Sequence, residues 1–189
     1  MIVMTEKKIL IVYGTRYGAT EGVAIKIAEI FRENNVLAEV VNLKEKSNFD
    51  NFEDYDGLII GSSIKIGQWT RHVKNFVRNM RLEIQKFSGP FGFYVCSGYA
   101  SQEEQYQKVK EEYIPDRLTE YGISISYYDA FGGIIDFSES SRMGWLEKKI
   151  MKIAGSQAAG LPVESEYTDL RDWDQIEKFA LGYLELVKT

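Results

Sequence analysis

The hydroxyl- and glycine-rich segment 14–20 has the residue types that best suit phosphate binding. It reads Gly-Thr-Arg-Tyr-Gly-Ala-Thr and follows a largely β-branched apolar run at 9–13. A turn from a strand into a helix presents free backbone N–H groups and the positive helix end, and Thr15 and Thr20 add hydroxyl donors. The segment has neither the Lys-Ser or Lys-Thr pair of nucleoside-triphosphate loops nor a Gly-x-Gly-x-x-Gly pattern. It therefore suits a phosphate monoester held by neutral donors, or else a plain strand-to-helix turn capped by its threonines.

Two further segments combine glycine, serine and aromatic residues. Segment 61–69 reads Gly-Ser-Ser-Ile-Lys-Ile-Gly-Gln-Trp, and segment 96–101 reads Cys-Ser-Gly-Tyr-Ala-Ser. Small residues allow close backbone approach to the edge of a flat ligand, and an aromatic ring can cover its face. Trp69 and Tyr99 are the candidates, with a core position as the alternative for Trp69. Together with the first segment, these loops predict a phosphorylated planar cofactor.

The spacing of apolar residues predicts the elements that position these loops. Strand and helix signals alternate, which is the pattern of a parallel sheet covered on both faces. In the last helix, Asp172 is the predicted N-cap and Gln175 its capping-box partner. Ligands of such sheets bind beyond the carboxyl ends of the strands, where the strand order reverses. Strands are predicted at 8–13, 37–43, 57–61, 91–96 and 123–135, the last bent or split in two, and helices through 23–31, 69–82, 102–121 and 173–187.

Composition restricts the class of protein. The 189 residues fit one domain, 1–189, and 23 basic against 28 acidic side chains give a net charge of −5, which argues against nucleic acid as a partner. A single cysteine, Cys96, excludes an internal disulfide and is interpreted as a small buried residue. With His72 as the one histidine, no metal centre is predicted. We expect a cytoplasmic protein, because no secretory leader and no apolar run of about 20 residues are visible.

The segment 138–169 is an insert that a minimal five-stranded fold does not need. Within it, 142–155 is amphipathic, and 142–152 carries four basic residues and one acid, Glu147, for a local charge of +3. This pattern predicts contact with an anionic membrane surface or a protein partner, which would place the protein peripherally at the inner membrane. The alternative is a helix whose apolar face packs back on the sheet. The apolar side comprises Met143, Leu146, Ile150, Ile153 and Ala154, and the basic side Lys148, Lys149 and Lys152.

In segment 15–20 the sequence resembles the flavodoxin superfamily, whose first loop follows the pattern Thr/Ser-x-Thr/Tyr-Gly-x-Thr. It is most similar to the flavodoxin-domain branch that includes the menaquinone-dependent protoporphyrinogen oxidases. The segments that support this are 61–67, 131–137, 144–151 and 167–169. The resemblance implies a three-layer α/β sandwich with a five-stranded parallel sheet in the order 2-1-3-4-5 and FMN at the junction of strands one and three.

The resemblance also implies which residues bind the cofactor, while no catalytic residue is predicted. The phosphate would be held by Thr15, Arg16, Tyr17, Gly18, Ala19 and Thr20. The isoalloxazine would be flanked by Ser62, Ser63, Ile64, Lys65, Ile66, Gly67 and Trp69, and by Ser97, Gly98 and Tyr99. Its stacking residue would be Ile64, Trp69 or Tyr99.

Three functions are compatible with this pattern. The first is an FMN-binding electron carrier of low potential, with ferredoxin or a reductase as its partner. The second is a quinone-dependent protoporphyrinogen IX oxidase of heme biosynthesis. The third is a flavodoxin-like module that binds no flavin and serves only for association.

Overall fold

The computed structural model describes residues 6–158 and 165–188. Its main sheet has five parallel strands in the order β2-β1-β3-β4-β5, which confirms the predicted topology. The strands are β1 (Lys8–Gly14), β2 (Leu37–Asn42), β3 (Gly57–Ser63), β4 (Phe91–Cys96) and β5 (Tyr127–Phe131).

Helices cover both faces of the sheet, so its central strands are buried. On one face, α1 (Ala19–Glu33) and α6 (Trp173–Lys188) pack on alternate strand residues such as Ile9 and Ile59. On the other, α2 (Arg71–Lys86) and α3 (Glu103–Tyr113) pack on the intervening residues such as Leu10 and Ile60. Because side chains alternate along a strand, apolar runs are needed to supply both layers.

The predicted fifth strand, 123–135, splits between two sheets. Its β5 part ends at Phe131 in the main sheet, and β6 (Ile134–Asp136) pairs antiparallel with β7 (Tyr167–Asp169). The chain turns at Gly132, where an added Cβ would collide with the backbone of Leu170. The second sheet is therefore a small ribbon at the edge of the main sheet, and the insert helix α5 (Trp145–Ala158) lies between its strands in the sequence.

The prediction of one continuous helix over 102–121 was wrong. The segment contains α3 and α4 (Pro115–Thr119), with Ile114 in a non-helical conformation between them. Proline restricts the preceding residue and lacks the N–H that a continuous helix needs. A 3₁₀ turn, Gly98–Ser101, precedes α3.

The predicted N-cap of α6 is confirmed, but the reciprocal interaction of the predicted capping box is not formed. The Asp172 carboxylate accepts hydrogen bonds from the N–H groups of Asp174 and Gln175, both at 3.0 Å. The Gln175 amide does not return to Asp172, because it donates to Asp129 at 3.2 Å and to the Ala130 carbonyl at 3.3 Å. Gln175 therefore fastens α6 to β5.

Candidate functional site

Three loops meet at the carboxyl edge of the sheet: loop 1 (15–20), loop 3 (62–70) and loop 4 (97–101). Gly14 and Ser62 are paired at the ends of β1 and β3. The Ile64 N–H donates to the Cys96 carbonyl at 2.9 Å, which joins loop 3 to the end of β4, and the Ser97 N–H donates to Phe131 at 3.0 Å. The edge at which we predicted the site is therefore a continuous surface.

Loop 1 combines a hydroxyl-capped turn with a buried hydroxyl at the start of α1. The Thr15 hydroxyl accepts a hydrogen bond from the Gly18 N–H at 2.9 Å, and Gly18 has a φ of 100°. No side chain of the described residues caps the start of α1. The Thr20 hydroxyl is fully buried and has no nitrogen or oxygen hydrogen-bond partner in the described part of the chain, where the weakly polar Cys96 thiol lies beside it. Buried polar groups are rarely left unpaired, so loop 1 fits a ligand rich in acceptor oxygens, such as a phosphate.

The side chain of Arg16 leaves loop 1 and crosses to loop 3. Its guanidinium donates to the carbonyl oxygens of Ser63 at 3.0 Å, Gln68 at 3.4 Å and Trp69 at 3.2 Å. Burial lowers the pKa of this guanidinium from its usual value. The backbone of Arg16 therefore lies in loop 1, while its charged side chain holds loop 3 in its conformation.

Tyr17 and Lys65 are joined by a residue that we did not predict. The Tyr17 hydroxyl donates to Glu147 Oε2 at 3.0 Å, and Lys65 Nζ donates to the Tyr17 oxygen at 3.0 Å and forms an ion pair with Glu147. The hydrogen bond from Lys65 is the main cause that lowers the pKa of Glu147. The sequence signal was that Glu147 is the one acid in the basic segment 142–152.

Loop 3 contains a two-residue hairpin. The backbones of Lys65 and Gln68 exchange two hydrogen bonds at 3.1 Å, and the turn residues Ile66 and Gly67 have φ values of 49° and 65°. Such turns prefer asparagine and glycine, because both central residues have positive φ. Ile66 is nevertheless β-branched, and its side chain is 91% exposed. A strained, exposed apolar residue at this edge is a second feature that we did not predict.

The serine hydroxyls of the site bind the protein's own backbone. Ser62 is fully buried, accepts from the Thr70 N–H at 3.1 Å and donates to the Ser63 carbonyl at 3.2 Å. Ser97 accepts from the Tyr99 N–H at 3.3 Å. These side chains therefore fix the shapes of loops 3 and 4.

The aromatic candidates differ in exposure. Trp69 is 6% exposed, its ring stacks on Phe93 with centroids 4.9 Å apart, and its Nε1 donates to the Tyr113 carbonyl at 2.7 Å. Trp69 therefore occupies a core position, which was the alternative to covering the face of a flat ligand. Tyr99 is 44% exposed, and Ile64 is partly buried. Tyr99, Ile64 and the exposed Ile66 are the apolar groups that loops 3 and 4 offer to a ring.

A cleft of about 380 Å³ adjoins loop 1 on the side of β6. Arg142 and Arg171 contribute cationic groups to it, but each is paired. Arg142 binds Glu21 at 3.0 Å, and Arg171 binds Asp169 at 2.7 Å. The cleft is therefore polar rather than strongly cationic.

The apolar side of the insert is buried at Met143 but exposed along α5. Met143 precedes α5 and is buried with Ile135 and Phe137 of the small ribbon, whereas Leu146 and Ile150 are 53% and 57% exposed. On the basic side, Lys148 donates to the Ser138 carbonyl, and Lys152 lies over the Phe137 ring at 4.9 Å. Trp145 is 78% exposed. The side chains of Ile153 and Ala154 lie outside the described residues. Among the described helices, none has the length and apolar content that crossing a bilayer requires.

A parallel sheet in the order 2-1-3-4-5, covered by helices on both faces and with a hydroxyl-rich loop leading from its first strand into a helix, is the fold of a flavodoxin-like protein. A family model for a flavodoxin domain matches residues 10–161. The chain belongs to this family.

Comparisons with individual proteins agree with this assignment. The chain is 24% identical over 173 residues to protoporphyrinogen IX dehydrogenase [quinone] of Escherichia coli strain K12, with 92% of each chain covered. Oxidised flavodoxin 1 from Bacillus cereus superposes with a TM-score of 0.57 at 14% identity, covering 95% of this chain and 98% of the other. A mutant flavodoxin of Fusobacterium nucleatum bound to flavin mononucleotide gives a TM-score of 0.50 at 13% identity, covering 97% and 96%. At these identities, the structural neighbours show the shared fold alone.

Proposed function

We propose that this protein binds FMN at loops 1, 3 and 4 and transfers electrons. The observation that carries the proposal is the Thr20 hydroxyl at the start of α1, which is buried beside the weakly polar Cys96 thiol and has no nitrogen or oxygen hydrogen-bond partner among the described residues. A phosphate monoester would accept hydrogen bonds from that hydroxyl and from backbone N–H groups at the start of α1. When bound, FMN supplies one-electron and hydride transfer, and the protein tunes both.

Different loops would bind different parts of FMN. Loop 1 would hold the phosphate through the Thr20 hydroxyl and its backbone N–H groups, while Arg16 keeps loop 3 in place beside it. Loops 3 and 4 would border the ring with Ile66 and Tyr99, which exclude water from its faces. The net charge of −5 disfavours further negative charge on a reduced flavin, and so favours a low potential.

Release of the bound flavin tests the choice of cofactor. We expect the purified protein to show a flavin absorption spectrum, and denaturation to release FMN rather than riboflavin or FAD. A colourless protein that acquires no flavin spectrum when FMN is added would contradict the proposal and favour a flavin-free association module.

We propose as a second candidate that the protein oxidises protoporphyrinogen IX to protoporphyrin IX with a quinone as electron acceptor. The observation that favours it is the match to a curated protoporphyrinogen IX dehydrogenase [quinone] over 92% of both chains. An electron carrier would instead exchange electrons with ferredoxin or a reductase.

One assay separates the two candidates. The FMN-loaded protein is mixed with protoporphyrinogen IX and menaquinone, and porphyrin fluorescence is followed against a reaction without protein. A rate above the background supports the oxidase. A rate equal to the background, together with reduction of the flavin by a ferredoxin reductase, supports the carrier.

We propose that the exposed side of α5 lies on an anionic membrane surface. Trp145, Leu146 and Ile150 form its apolar part, and Lys149 is an exposed cation beside them. A variant with Trp145→Ser and Ile150→Ser should sediment less with vesicles of anionic lipid than the parent does. The control is Ile25→Ser with Leu82→Ser, which removes exposed apolar side chains from α1 and α2. Equal sedimentation of all three proteins would contradict the proposal.

A further inference from the structure

The insert reaches both loops of the proposed flavin site through one carboxylate. Glu147, in the first turn of α5, binds the Tyr17 hydroxyl of loop 1 and the Lys65 ammonium of loop 3. Lys65 and Tyr17 also bind each other at 3.0 Å. These three side chains, called here the three-way junction, bring together segments 48 to 130 residues apart in sequence.

The junction is partly shielded from solvent. The side chains of Lys65 and Glu147 are 35% and 42% exposed, and Glu147 also accepts from the Gly144 N–H at 3.4 Å. Hydrogen bonding to Glu147 raises the pKa of Lys65, so both groups of the pair are charged at neutral pH. Each charge therefore offsets the other at the edge of loop 3.

We propose that Glu147 is a positioning residue of the flavin site, which holds the Lys65 ammonium at the three-way junction and offsets its charge beside the flavin. The inference rests on the proposed FMN site and adds to that site a residue of the insert. Loops 1 and 3 alone would contain the Lys65 ammonium without the carboxylate that pairs with it, because Glu147 belongs to the insert.

The two members of the pair should have opposite effects on the flavin potential. Without the carboxylate, an unpaired Lys65 favours the more negative reduced flavin and raises the midpoint potential. Without the ammonium, an unpaired Glu147 lowers it. A junction that only stiffened the loops would not give shifts of opposite sign.

The experiment compares Glu147→Gln, Lys65→Met and the double variant with Glu139→Gln as control. Glu139 is an exposed carboxylate of the same insert, so its substitution removes the same charge away from the junction. We expect the midpoint potential of bound FMN to rise in Glu147→Gln, to fall in Lys65→Met and to stay near the parent in the double variant. The dissociation constant of FMN should increase about two- to fivefold in Glu147→Gln, the range of a partly exposed ion pair. Equal potentials for the two glutamine variants, or shifts of the same sign for Glu147→Gln and Lys65→Met, would overturn the inference.

A second readout does not depend on flavin. Hydrogen exchange of backbone amides is measured in flavin-free protein for segments 64–68 and 145–152. Glu147→Gln should accelerate exchange in both segments, and Glu139→Gln in neither. Unchanged exchange in Glu147→Gln would overturn the junction itself, whereas failure of the parent to bind FMN would overturn the proposed function while leaving this readout intact.

Discussion

The guanidinium of Arg16 donates a hydrogen bond to the carbonyl oxygen of Ser63 at 3.0 Å, which ties the loop after β1 to the end of β3. Further bonds to the carbonyls of Gln68 and Trp69 extend this contact to the start of α2. One arginine thus holds both ends of the loop that we propose borders the flavin ring. Loop 3 therefore depends on a side chain that belongs to loop 1.

Replacing Arg16 by alanine should weaken FMN binding. Hydrogen bonds to a charged group contribute about 1.5–3 kcal/mol each, so loss of the shared set should raise the dissociation constant at least about tenfold. Quenching of FMN fluorescence measures it. Arg32→Ala removes an arginine bound to the Ala38 carbonyl away from the site and should bind as the parent does. Equal affinities for the two variants would contradict the role of Arg16.

Replacing Ile66 by asparagine should stabilise the protein. A left-handed conformation costs an ordinary residue about 1–2 kcal/mol, and asparagine tolerates it better, so the free energy of unfolding should increase by about 1 kcal/mol. Urea unfolding of flavin-free protein measures this change. Ile25→Asn, at an exposed helical position, should instead be destabilising, because asparagine is a poorer helix former. A loss of stability in Ile66→Asn would show that the side chain makes contacts that outweigh the strain.

Replacing Asp172 by alanine should lower the free energy of unfolding by about 1 kcal/mol, because two N–H groups of α6 lose their acceptor. Asp174→Ala is the control, since it removes an acidic residue from the same helix turn but leaves the cap in place. Urea unfolding of both variants measures the difference. Equal effects would indicate that the charge near the helix start matters more than the cap.

The buried thiol of Cys96 should make the protein less stable in alkali. Burial raises its pKa from 9.0 to about 12 in the folded state. Above pH 9 the unfolded chain loses this proton first, so the stabilisation that is complete below pH 9 falls as the pH rises towards 12, by up to about 1.4 kcal/mol per pH unit. Tyrosines with raised pKa affect the parent and Cys96→Ala alike, except Tyr94, whose pKa is raised mainly by burial and also by Cys96. Denaturant unfolding between pH 7 and pH 10.5 should therefore show a steeper decline for the parent, and parallel curves would contradict the assignment.

The sequence predicted the layered parallel sheet because that architecture depends on local patterns, whereas the strand order 2-1-3-4-5 was implied by the resemblance to flavodoxins. Apolar runs mark strands buried on both faces, and the order of strands and helices fixes a parallel sheet whose loops meet at one edge. Thr15, Gly18 and Thr20 could be placed at that edge for the same reason. Trp69 illustrates an ambiguity that only packing resolves, because a ring after a strand can cover either a ligand or the core.

The contacts that complete the site could not be predicted in this way. Arg16 reaches residues 47 to 53 positions away, and Tyr17 meets Glu147 across 130 positions. Such contacts depend on side-chain directions in the folded chain, which periodicity does not encode. The conformation of Ile66 was hidden for another reason, since its residue type disfavours the turn that it occupies.

The central claim, that loop 1 binds the phosphate of FMN, is tested most directly by titrating flavin-free protein with FMN and with riboflavin while flavin fluorescence is recorded. The parent should bind one FMN per chain and bind riboflavin much more weakly. Thr20→Val, which keeps the shape but removes the buried hydroxyl, should weaken FMN binding and leave riboflavin binding unchanged, whereas Thr119→Val on α4 should change neither. Equal affinity of the parent for FMN and riboflavin, or no binding of either, would contradict the account.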